Sequence, residues 1–262
     1  MSYTGKAILP VFGQYRPDQI TREMCRDYDR KRRAAGKSQG TVHTELGHLR
    51  GALNFAVKVS MLEKAPAIWR PEKPQTDMRI LTPAEMNKLV DGCHDPHVRL
   101  AVILLLGTAA RVGAILDLTW DRVDIEGGII NLRLGDSVTR KGRAVLPMNG
   151  STRAALATAR EVALTDYVIE YQGGPIKCIR KGFTAALERS GIGHMRIHDC
   201  RHTAAVTMLA AGVPMQKIAQ VLGHSNTSTT EQVYGRFRPE HMQDAVNVLD
   251  FITLKAVYNS PK

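Results

Sequence analysis

The sequence predicts a mainly α-helical protein with one small antiparallel β-sheet. Three observations carry this. Apolar residues recur at spacings of three and four through most of the 262 residues. Two short β-like runs, 129–134 and 143–146, flank a turn rich in Gly, Asp and Ser over 135–142. A proline-punctuated stretch of mixed charge, RPEKPQTDMR over 70–79, reads as a linker and divides the chain into domains at 1–74 and 75–262.

Residues 1–15 show little periodicity and are left irregular. From Pro17 the text turns helical, and ITREMCRDYDRKRRAAG ends at Gly36, with the basic cluster 30–33 in the last turns, where it complements the helix dipole. Ser38 or Thr41 then caps a helix in which Val42, Leu46, Leu49, Leu53 and Val57 form one buried stripe. Its other face offers Lys37, His43, His48 and Arg50, which as residues alone describe a solvated basic surface. The second domain opens on Thr82-Pro83-Ala84-Glu85, an N-cap, an N1 proline and a capping-box glutamate. Helices follow to residue 90 and over 98–106 and 112–116, then, after the β-like runs, over 152–163, 176–189, 198–211, 214–222 and 239–252.

Composition narrows the function. A formal charge of +11 and a pI near 9.7 favour a polyanionic partner, of which nucleic acid is the commonest. Cys25, Cys93, Cys178 and Cys200 include no C-x-x-C pair, which points to reduced thiols rather than a disulfide scaffold. The longest apolar run, around 100–106, is too short to span a bilayer, and no basic-then-apolar secretion signal opens the chain; a cytoplasmic, nucleoid-associated protein is expected.

Chemistry concentrates in RIHDCRHTAAVTMLAAGVPMQKIAQVLGHSNTSTTEQVY, residues 196–234. His198 and Arg201 lie one helical turn apart, His224 follows a Leu-Gly, and Tyr234 comes ten residues later. The combination suggests attack of a tyrosine oxygen on a phosphodiester. A phenol of pKa ~10 needs help worth roughly 4 kcal/mol to ionise at neutral pH, which nearby cations or a proton acceptor can supply. An arginine fork matches the non-bridging oxygens of a phosphate. A second arginine, Arg111, follows an apolar helix upstream; alone it would read as a helix-end surface residue. His194, His198 and His202 are spaced by four, but no H-E-x-x-H signature or carboxylate completes a metal site, and neither metal nor cofactor is expected.

Four ordered segments, GTAARVGAILDLTWDRVD, HDCRHT, LGHS and TTEQVYGRF, resemble the tyrosine recombinase (phage integrase) family across the C-terminal two-thirds of the chain. The resemblance implies a tyrosine-recombinase catalytic domain preceded by a short helical core-binding domain. It implies a DNA strand transferase of a mobile element, with Arg111 and Arg201 clamping the scissile phosphate. His198 would be a hydrogen-bonding and proton-handling partner of that phosphate, His224 a further hydrogen-bond donor to it, and Tyr234 the nucleophile of a 3′-phosphotyrosine link. In the turn Thr139-Arg140-Lys141-Gly142-Arg143, Lys141 would protonate the departing 5′ oxygen, since a desolvated lysine gives up a proton and an arginine effectively does not. Ala114 stands where the family usually carries an acid that buttresses the first arginine. The N-terminus leaves barely room for the helix that opens the family's core-binding domain. Lys37, Ser38, Thr41, His43 and Arg50 would grip duplex DNA, Ser38 and Thr41 at a helix N-terminus. A tetramer on paired DNA sites follows, with helix 239–252 docking on a neighbouring protomer as in family members or packing in cis. Two alternatives stay open: type IB topoisomerase-like relaxation by a monomer, and a non-catalytic helix-turn-helix protein, of which 213–225 reads as one half.

Overall fold

A computed structural model describes residues 3–74, 77–133, 144–224 and 226–237. The chain divides into two compact units, Met1–Asp77 and Met78–Lys262. Lys141 and the turn around it, and the helix expected over 239–252, lie outside the described residues.

Among its described residues the first unit holds three α-helices: α1, Tyr3–Phe12; α2, Arg22–Ala34; and α3, Gln39–Lys58. Helix α1 corrects the irregular N-terminus expected from the sequence. Pro10 argues against a helix there. Tertiary burial overrides it: Ile8 and Phe12, one turn apart, pack into a cluster with Ile20, Cys25, Tyr28, Val42, Leu46 and Leu53. Thr21 caps α2, Gly36 follows it at φ +74°, and Ser38 rather than Thr41 caps α3, its Oγ accepting from Thr41 N at 3.2 Å. Residues 71 and 72, which the sequence assigns to a linker, are pinned to α3: His43 Nδ1 lies 2.7 Å from Pro71 O, and Gln39 Nε2 donates to Glu72 O at 3.0 Å.

A polar group crosses this core. Glu45 is fully buried and accepts from Tyr28 Oη at 2.9 Å and Arg32 Nε at 3.0 Å, with a second, ion-paired contact from the Arg32 guanidinium. The sequence places Arg32 in a dipole-complementing cluster; its stronger partner is this carboxylate. Burial raises the Glu45 pKa, but Arg32 and Tyr28 outweigh it and hold the group below the usual carboxylate value. Its contribution is therefore complete above the unfolded value near 4.5 and is lost as pH falls through the lower folded value. Glu45→Ala should destabilise the first unit by about 3 kcal/mol at pH 7, leaving Arg32 and Tyr28 without their acceptor, and the difference from wild type should shrink in urea melts at acid pH.

In the second unit, helices α4, Pro83–Gly92, and α5, Pro96–Thr108, lead to the short α6, Val112–Leu116. The capping box read at Thr82 is present: Thr82 Oγ1 accepts from Glu85 N at 3.3 Å and Glu85 Oε2 from Thr82 N at 2.9 Å. Strands β1, Val123–Asp124; β2, Ile129–Asn131; and β3, Val145–Pro147, form an antiparallel sheet in that order, pairing Val123 with Ile130 and Ile130 with Leu146. Helix α7, Gly150–Glu161, starts earlier than expected because Asn149 caps it. A hairpin that the sequence did not predict, β4 at Glu170–Tyr171 with β5 at Gly174–Pro175, takes up the approach to α8, Arg180–Ser190; residues 176–179, expected as its first turn, return the chain from that hairpin. Then come α9, Ile197–Ala210; α10, Met215–Val221; and α11, Thr227–Tyr234. Helix α5 lies against α7 and α9. A large core joins α4–α9 and the three-stranded sheet, and a smaller cluster of Ala109, Ala205, Leu209, Met215, Ile218, Leu222 and Tyr234 joins the end of α5 to α9, α10 and α11. The half helix-turn-helix of the sequence belongs to this cluster: its apolar positions Ile218 and Leu222 are buried in it together with Tyr234.

Candidate active site

The site begins where α5 ends. Ala109 adopts a left-handed conformation, φ +54° and ψ +20°, at a strain of about 1–2 kcal/mol for a residue bearing a Cβ. That reversal turns the chain so that Arg111 becomes the N-cap of α6, with its carbonyl accepting from Ala114 N at 2.8 Å. Ala114 itself is buried in the large core.

Helix α9 starts on a firm anchor. Asp199, almost fully buried, accepts from Arg196 N and Arg196 Nη2, each at 2.8 Å, closing a box around the first turn. His198 and Arg201 are thereby presented one turn apart. Arg201 is only 2% exposed; its Nη1 donates to Ala109 O at 2.8 Å and its Nη2 to Leu222 O at 2.8 Å and His224 Nε2 at 2.9 Å. Among the described residues no carboxylate lies within ion-pair distance of Arg201. Burial, and then the charge of Arg111, push its pKa down to about 10, so it stays a cation at neutral pH. A buried cation with no counter-charge is costly to hold, and such groups mark sites built for an anion.

His224 is aimed by a helix terminus. Gly223, at φ +63°, ends α10, and the bonds Gly223 N to Gln220 O and His224 N to Ala219 O, both 2.9 Å, turn the imidazole back toward Arg201. Because an arginine only donates, Nε2 of His224 is the acceptor, so the proton of the neutral ring sits on Nδ1 and goes to Thr230 Oγ1 at 2.8 Å. Burial, then Arg201 and Arg111, lower the His224 pKa to about 4, in keeping with a neutral ring. His198 keeps an exposed face, yet withdrawal from water and then the same two arginines hold it below the ordinary histidine value.

Tyr234 closes the group. Helix α11 starts at Thr227 under an Asn226 cap and delivers the ring into the small cluster at 2% exposure. Its hydroxyl lies 2.9 Å from His202 Nδ1. Burial raises the phenol pKa, while Arg201 and Arg111 oppose that rise. Arg111, His198, Arg201, His224 and Tyr234 thus share one electrostatic neighbourhood although they come from four separate segments. Nothing local in the sequence singles out His202 or Thr230 for this site; the one signal is the i, i+4 spacing of His198 and His202, which reads as a metal-type pair. Among the described residues no cluster of three or more His, Cys, Asp or Glu is placed to hold a metal ion.

In the first unit Lys37, Ser38 and Arg50 are exposed and Thr41 and His43 partly so. The hydroxyls of Ser38 and Thr41 bond each other at 2.9 Å within the α3 cap. Arg22, His43, Arg50 and Arg70 share the lining of a cavity of about 360 Å³.

Residues 79–241 match the model of the phage integrase family. The chain belongs to that family. It is 24% identical to a tyrosine recombinase XerC-like protein of Caldanaerobacter subterraneus subsp. tengcongensis, over 82% of this chain and 67% of that one. It is 26% identical to the integrase of Salmonella phage P22, over 84% of this chain and 59% of the phage protein, so it spans about three-fifths to two-thirds of these relatives. Its fold is similar to that of the Tn1549 transposon integrase in complex with a circular intermediate DNA, with TM-score 0.76 and 17% identity over 95% of this chain and 94% of the other.

Proposed function

We propose that the chain is a site-specific DNA recombinase that cuts and rejoins DNA through a 3′-phosphotyrosine. The observation that carries this is Arg201: a buried guanidinium with no carboxylate partner among the described residues, beside Arg111 and in the same electrostatic neighbourhood as a tyrosine hydroxyl. A phosphodiester supplies the missing anion. Arg111 and Arg201 bind its non-bridging oxygens, where charge grows as the phosphorus becomes five-coordinate. Tyr234 Oη attacks the phosphorus, the bond to the 5′ oxygen breaks, and that oxygen takes a proton from Lys141. His198 hydrogen-bonds the phosphate, and His224 fixes the fork of Arg201. The phosphotyrosine retains the energy of the broken bond, so a 5′-hydroxyl from another strand can reverse the step without a nucleotide cofactor.

Exchange between two duplexes breaks four strands. Each protomer offers one Tyr234, which is tied to one strand once it has reacted, so a tetramer on paired sites is the smallest complete assembly. The basic face of the first unit, with Lys37, Ser38, Thr41, His43 and Arg50, grips the duplex backbone, and the protein acts where DNA is kept, at the nucleoid. Among the described residues no helix is long and apolar enough to cross a membrane.

A nicked duplex carrying the protein's own target sequence tests the proposal: the short 3′-terminal fragment diffuses away after cleavage and traps protein on DNA. A covalent adduct resistant to denaturant is expected, and its absence across DNA flanking the gene would refute strand transfer. Relaxation of a supercoiled circle without joining of two sites would instead indicate a topoisomerase. Log affinity should fall linearly with log salt at a slope of about −0.9 per phosphate contacted, and Arg50→Ala should make that slope shallower by about one.

A further inference from the structure

We infer that His202 takes the proton from Tyr234 as the tyrosine oxygen attacks DNA, a role that rests on the strand-transfer function proposed above. Among the described residues His202 is the hydrogen-bond partner of the Tyr234 hydroxyl, Nδ1 to Oη 2.9 Å. Neither of the other two histidines of the site is hydrogen-bonded to that hydroxyl among the described residues. His224 has one ring nitrogen on Arg201 and the other on Thr230. His198 meets the site through its ring, set edge-on to His202 at 4.8 Å and 90°. Tyr234 is only 2% exposed, in a buried cluster with Ala109, Ala205, Leu209, Ile218 and Leu222, so bulk water is a poor receiver for its proton.

The proton inventory closes. The O–H electron pair of Tyr234 forms the new oxygen–phosphorus bond, and the proton moves to Nδ1 of His202, whose ring keeps its own proton on Nε2. The pair of the broken phosphorus–oxygen bond leaves with the 5′ oxygen, which Lys141 protonates. On rejoining, His202 returns the proton to the departing phenol oxygen.

The charged surroundings explain why the imidazole is idle until DNA arrives. Burial, then His198, with smaller contributions from Arg196 and Arg201 and opposition from Asp199, bring its pKa down to about 4. It is therefore neutral, with an acceptor lone pair, and an imidazolium is disfavoured beside two arginines. A bound phosphodiester, gaining negative charge during attack, offsets those arginines and raises the basicity of His202 at the moment it is needed.

Single-turnover cleavage of the nicked substrate decides the matter, with wild type, His202→Ala and His202→Asn compared, each also carrying 3-fluorotyrosine at position 234. DNA affinity should stay within about threefold, while His202→Ala should slow cleavage by on the order of 10²-fold. Asparagine can restore a hydrogen bond near Nδ1 without accepting a proton, so His202→Asn should remain within about tenfold of the alanine variant. The more acidic fluorinated phenol should accelerate both variants by at least about tenfold more than it accelerates wild type. Should His202→Ala melt before assay, His202→Asn with and without the fluorinated residue carries the same comparison. The inference is overturned if His202→Ala cleaves at the wild-type rate, if asparagine restores that rate fully, or if fluorination helps all three proteins equally. Failure of wild type itself to form the adduct overturns the strand-transfer function and this role together; a wild-type adduct with an indifferent His202 overturns this role alone.

Discussion

Tyr234→Phe should yield no covalent protein–DNA adduct, a loss on the order of 10⁴-fold or more, as when the nucleophile of another covalent enzyme is removed. Affinity for the same duplex should hardly change. The ring fills its place among Leu209, Met215, Ile218 and Leu222, which phenylalanine preserves, and the hydroxyl lost makes its bond to His202 rather than to a surface that DNA would cover. Stability should fall by only about 1 kcal/mol, the usual net worth of one hydrogen bond. Denaturing gels of trapped complexes and binding isotherms on an intact duplex would check both halves. Persistence of every DNA-dependent activity in the variant would instead describe a binding protein.

Arg201→Lys should be nearly as damaging to cleavage although it conserves charge. The guanidinium reaches Ala109 O, Leu222 O and His224 Nε2 from two nitrogens in a fixed plane, and a single ammonium cannot span those acceptors. Cleavage should fall by roughly 10²–10³-fold, the scale seen when one preorganised donor to a developing anion is lost. Thermal and urea melts should show a cost of about 1–3 kcal/mol from acceptors left without a donor. A lysine variant that cleaves normally would place the phosphate elsewhere.

The candidate site was largely legible because the types and order of its residues are distinctive: Arg111, His198, Arg201, His224 and Tyr234 stand out in the sequence and lie together in space. Helices α2 to α6 were legible from caps and apolar spacing, as at Thr82 and Ser38. Helix α1 was not, since Pro10 is a local signal against helix and only burial of Ile8 and Phe12 overrides it. The β4–β5 hairpin is two residues a side, too short for alternation to register. The partner of Tyr234 was hidden for a different reason. Spacing puts His202 on the same face of α9 as His198, but a contact to a tyrosine 32 positions away depends on how α11 folds back, which no local pattern encodes.

Arg201 ties three stretches together: the reversal at Ala109, the end of α10 at Leu222, and the imidazole after it. Damage to any of these should therefore be felt as damage to all, and double substitutions such as Thr230→Val with Arg201→Lys should cost less than the product of their separate losses. A chain wired this way loses function in one stride rather than by degrees.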